Sequence, residues 1–126
     1  MTFIAFIGLL ILFGLSVFQF LLIIGKPLGS FAWGGQHSVL PKKLRIASVF
    51  SIVLYIMFSA FLVTKAGMIH IIPNSKLLDI GMWIFTSYFV LGILMNAISR
   101  SKKERILMTP LVFLLAVIFL LVTLKY

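Results

Sequence analysis

The chain has no cysteine and only two acidic residues, Asp79 and Glu104, in 126 positions. Without cysteine there is no thiol–disulfide chemistry, no thiolate metal site and no palmitoylation at cysteine. Two isolated acids give no carboxylate pair for acid–base work. The two histidines, His37 and His70, join no His/Asp/Glu cluster with metal-ligand spacing. No Ser–His–acid arrangement stands out either. No catalytic residue, metal site or cofactor is therefore assigned. Charge is scarce as well, at 10% of residues, where soluble domains carry about 25%.

What fills the chain is apolar. Hydrophobic residues reach 63%, against about 45–50% in soluble proteins. They fall into four continuous runs, at about 3–24, 44–64, 77–98 and 106–124. At about 1.5 Å per residue, each is long enough or nearly so for a hydrocarbon core of about 30 Å. Inside lipid every backbone N–H and C=O must be paired within the protein, which leaves helices or a closed barrel. Barrel strands alternate in hydrophobicity, and these runs do not. The expected fold is an all-α membrane protein, a single transmembrane domain over 1–126, with four helices in a compact up-down bundle. The first run lacks the basic n-region and the cleavage site of a signal peptide, so it is expected to remain in the mature protein.

The connectors hold nearly all the charge, which nets +9. The first and third carry eight basic residues: Lys26, Lys42, Lys43, Arg45, Arg100, Lys102, Lys103 and Arg105. The other side has three, Lys65, Lys76 and Lys125. The positive-inside rule then places both basic connectors in the cytoplasm, and both termini outside the cytoplasmic membrane. Such a rim suits anionic lipid headgroups better than nucleic acid.

The signals at the run ends are ordinary ones. Pro41 suits the first turn of the second helix. Ser75 reads as an N-cap, with Asp79 in the first turn behind it. Ser101 and Glu104 have capping-box spacing. Pro110 should kink the fourth helix.

Polar residues inside the runs mark where a binding site would lie. Gly8, Leu12, Ser16 and Gln19 share one helical stripe, and Ser48, Ser51, Tyr55 and Ser59 share another. Gly81, Tyr88, Gly92 and Asn96 form a third, whereas the fourth run has almost nothing polar past Thr109. Spans one to three are thus expected to share a polar seam, with the fourth packed outside it. Gln19, Ser48, Ser51 and Asn96 fall at the depth of the longest connector, Gly25–Lys43, which reads GKPLGSFAWGGQHSVLPKK. Its four glycines and two prolines exclude a continuous helix. Links between antiparallel helices often take only about 2–8 residues. The candidate binding set is therefore Gln19, Ser48, Ser51 and Asn96 below, covered by Trp33, Gln36 and His37. The plainer alternative is helix–helix glue, with Trp33 an interfacial anchor and His37 solvated. Trp83 reads as an aromatic-belt residue.

The stretch Gly29–Leu44, with its WGGQH-x-VLP-x-K-L core, and S-R-S-x-x-E-R from Ser99 followed by Pro110 carry a resemblance over the whole chain. They resemble uncharacterised small four-span proteins of bacterial membranes. That resemblance implies the architecture and no mechanism. Size and span count are also similar to the small multidrug exporters, but those rely on a Glu in the first span, and none stands there.

Two functional readings follow. One is a non-catalytic binding or accessory membrane protein with a structured loop at 25–43, meeting lipid, a partner membrane protein or a second copy of itself. The other is a small transporter or channel for an anion or neutral solute, built as a homo-oligomer. A lipid-acting enzyme ranks last for want of a catalytic group.

Overall fold

The structure, a computed structural model, describes residues 2–125. Four helices account for most of them: α1 (Thr2–Ile23), α2 (Lys42–Lys65), α3 (Ser75–Ala97) and α4 (Lys102–Lys125). No strand occurs among the described residues. Each helix is long and apolar enough to cross a membrane. The chain is thus a multi-pass membrane protein by architecture.

The helix ends follow local chemistry. The first helix stops at Gly25, whose φ of 93° reverses the chain without the steric cost a Cβ would bring. Lys26 N donates to Leu21 O at 3.0 Å and Gly25 N to Leu22 O at 3.2 Å, the paired closure that satisfies orphan carbonyls. Pro41 caps α2 from just outside it, not from within the first turn, and its carbonyl accepts from Leu44 N and Arg45 N at 3.0 Å each. The cap of α3 is Asn74 and not Ser75, because the Asn74 side chain accepts from Leu77 N at 3.0 Å. Asp79 then lies beyond the first turn, where it pairs with Lys65 at 2.5 Å. Pro110 sits within α4 without ending it.

Around the bundle the order is sequential. The first helix packs along α2, α3 packs along α4, and the two hairpins close through α1–α4 and α2–α3 contacts. The expectation that the fourth helix lies outside is wrong. Leu115, Phe119 and Val122 are fully buried, and Met108, Ala116, Ile118 and Thr123 are buried with them. Lipid is as apolar as leucine, so polarity does not decide which helix is central; shape does. Phe119 lies 4.9 Å from Phe89 and 6.3 Å from Phe58 between ring centroids. Phe58 also meets Phe85 edge-on at 4.7 Å. At Gly81 a Cβ would come within 2.2 Å of the Phe61 ring, so the glycine is what lets α2 and α3 touch there.

Outside this core, residues such as Phe3, Phe13, Phe50, Ile56, Leu91 and Met95 are exposed. A belt of this kind far exceeds the apolar patches of soluble monomers. It is the face the lipid covers. Trp83, also exposed on α3, belongs to that outer face.

A cleft beneath the basic end

The long connector folds onto the bundle. Residues Gly29–Phe31 form a 3₁₀ turn, and Trp33–Gly35 form a second short turn with non-helical backbone at Gly34. Ala32 and Leu40 are buried with Leu22 of α1 in a small apolar cluster, flanked by Phe18, Leu28 and Leu44. Gly29 N donates to Ser38 O at 2.8 Å, and Arg45 Nε donates to Leu40 O at 2.8 Å. The connector is a packed element.

Trp33, Gly34 and Gly35 have φ values of 53°, 76° and 73°. Three successive left-handed residues are unusual, and a tryptophan among them carries strain of about 1–3 kcal/mol that its surroundings must hold. Two contacts do so. Trp33 Nε1 donates to Ser48 Oγ at 3.4 Å. Gly35 lies so close to the residue that precedes α4 that a Cβ would stand 2.4 Å from Ser101 Cβ.

The second basic connector meets the first here. Ser101 Oγ donates to Ser30 O and accepts from Glu104 N, the latter at 3.2 Å. Only half of the capping box forms. Ser101 N donates to Ser99 Oγ at 3.2 Å, which leaves the Glu104 side chain free to turn inward.

Below these turns lies a cleft of about 760 Å³, lined by the loop and by all four helices. That size falls in the range of small-molecule sites, about 300–1,000 Å³. Phe18, Trp33, Tyr55, Tyr88 and Phe89 give it aromatic walls. Leu91, Met95 and Ile98 line it while staying exposed, so it opens sideways along α3 toward the lipid.

Four of the seven sequence candidates line this cleft: Gln19, Trp33, Ser51 and Asn96. Ser48 is completely buried beside it and serves Trp33. Gln36 and His37 are exposed and do not line it. They point away because the left-handed turn at 33–35 reverses the chain before them. Among the liners, Ser51 donates to Ala47 O and Asn96 Nδ2 donates to Gly92 O, each within its own helix. Each thus has one local partner, and the Asn96 Oδ1 and Ser51 Oγ lone pairs remain as acceptors. The side chains that hydrogen-bond the loop from below are Ser48 and Ser101.

Gln19 is different. It is 7% exposed, its Nε2 reaches Tyr55 Oη only at 3.5 Å, and its Oε1 is buried without a hydrogen-bond partner. An unmatched buried acceptor costs about 1–3 kcal/mol.

Glu104 was missed as a site residue. It is 8% exposed and lines the cleft from the first turn of α4. The helix N-terminus favours an anion there by about 0.3–1 kcal/mol, up to about 2 when partly buried. The nearby cations are engaged elsewhere: Arg105 Nη1 donates to Ser99 O at 2.9 Å, and Lys103 Nζ sits 5.6 Å from the Phe31 ring centroid. Among the described residues no cation pairs with Glu104. The capping-box pattern hid this residue. Its register on α4 would have found it, since Met108, Leu115, Phe119 and Val122 follow on the same buried face.

The eight basic residues stand around the loop end of the bundle. Lys26, Lys42, Lys43, Arg100, Lys102, Lys103 and Arg105 are exposed, and Arg45 is half-buried. No group of three or more metal-ligating side chains occurs among the described residues. Comparison with protein-family models, curated proteins and solved structures gives no match.

Proposed function

We propose that this is a non-catalytic binding protein of the cytoplasmic membrane, and that the cleft beneath the loop is its ligand site. The unmatched Gln19 Oε1, buried in a cleft of about 760 Å³, carries the reading. Native side chains rarely leave such an acceptor bare, and a ligand donor would satisfy it. The basic end faces the cytoplasm and meets anionic headgroups, with both termini outside, as the eight-to-three charge bias argues. Detergent-purified protein should retain a small molecule or lipid in native mass spectra. Ser51→Phe, which fills the cleft, should remove it. Retention unchanged by that variant, or no retention by either protein, overturns the reading.

Glu104 favours a transporter as the second reading, because carriers place acids within their spans. Among the described residues no Lys or Arg lines the cleft, so of the two solute classes that the sequence suggests, an anion finds no counter-charge there. Four helices enclose little volume, so transport calls for a homo-oligomer. A chemically cross-linked dimer in native membranes would support it, and a strict monomer would sink it.

A further inference from the structure

Charge at the basic end is divided by place. The exposed rim is positive, yet among the described residues no lysine or arginine lines the cleft, and the one charged residue that does is Glu104. An anion drawn to this end is held outside. Inside, the complementary ligand group is a cation.

The remaining liners narrow the class. Trp33, Tyr55 and Tyr88 line it, and aromatic rings attract a cation through their quadrupoles. Gln19 Oε1 is a buried acceptor that lacks a donor. A group that satisfies both Glu104 and Gln19 carries positive charge and N–H bonds together, as an ammonium does. The apolar walls and the opening past Leu91 and Met95 suit a lipophilic body.

We propose that the cleft takes a protonated lipophilic amine, with Glu104 as counter-ion and Gln19 as acceptor for one of its N–H bonds. This rests on the reading of the cleft as the ligand site, and it adds the ligand's chemical class. Binding is non-covalent and no bond is made or broken.

The test uses the full chain in dodecyl maltoside and three probes of one shape: 1-adamantylamine, 1-adamantanol and 1-adamantanecarboxylate. Isothermal titration should show saturable binding of the amine that Ser51→Phe abolishes. Glu104→Gln removes one partner of a buried charge pair, so it should weaken the amine about 30-fold or more. Glu104→Asp keeps the charge and should stay within a few-fold of the parent, which separates lost charge from lost folding. Gln19→Leu should weaken the amine less than Glu104→Gln does. Cleft binding of the carboxylate or the alcohol as tight as that of the amine overturns the inference. So does a Glu104→Gln protein that binds the amine normally. If the amine fails while native mass spectra still show a Ser51→Phe-sensitive molecule, only the ligand class falls. If both fail, the cleft reading falls too.

Discussion

Ser101 Oγ donates a hydrogen bond to the carbonyl of Ser30, 71 positions away in the chain. The same oxygen accepts from Glu104 N at 3.2 Å. One hydroxyl therefore joins the two basic connectors and caps α4. Removing it should loosen both. Ser101→Ala should cost about 1–2 kcal/mol, the sum of a typical cap and part of a loop hydrogen bond. Thermal unfolding in detergent gives the loss, and faster amide exchange at Ser30–Gly35 locates it. Unchanged exchange there would separate the two connectors.

Neighbouring glycines give a controlled comparison. Both Gly34 and Gly35 have positive φ, but only Gly35 faces Ser101, while a Cβ on Gly34 meets nothing within 4 Å. Gly34→Ala should cost about 1–2 kcal/mol for left-handed backbone alone. Gly35→Ala should cost clearly more and should also shift Trp33 emission, read in a Trp83→Phe background. Equal losses for the two variants would mean that the loop does not rest on α4.

The placement of α4 can be checked by paired truncations. Phe119 is fully buried and Phe113 is 54% exposed. Phe119→Ala should cost about 3 kcal/mol, at the low end for a buried phenylalanine because lipid adds no hydrophobic term between helices. Phe113→Ala should cost little. Unfolding in mixed micelles measures both. A larger loss at position 113 would restore α4 to the periphery.

Orientation is open to direct test. Tags on either terminus should be reached by an impermeant reagent in intact cells. A C-terminus accessible only after permeabilisation contradicts the proposed orientation.

The four spans were legible because apolar run length is a one-dimensional signal, and their ends came within a few residues. Which helix is central was not legible. In lipid, Leu115 and Phe119 are chemically no different from Leu114 and Phe113, and only facing shapes bury one pair and expose the other. Depth along the helices put Gln19, Ser51 and Asn96 at one level. It did not reveal that Ser51 and Asn96 each donate within their own helix while Gln19 Oε1 is buried without a donor. That distinction depends on rotamers. Gln36 and His37 are near Trp33 in sequence, but three left-handed residues turn them away from the cleft in space. Glu104 was visible and misread, since a capping pattern and a buried register predict different directions for the same side chain.

The sideways opening past Leu91 and Met95 sets the concentration scale for any occupant. A molecule that arrives along that path comes from the bilayer and not from bulk water. Its reservoir is the leaflet, where a lipophilic solute is enriched by partitioning before it meets the protein. Occupancy then follows mole fraction in the lipid. An apparent affinity quoted per litre of buffer will drift with the amount of membrane or detergent in the sample. Titrations at several lipid-to-protein ratios should collapse onto one curve when plotted against membrane mole fraction, and should scatter when plotted against aqueous concentration.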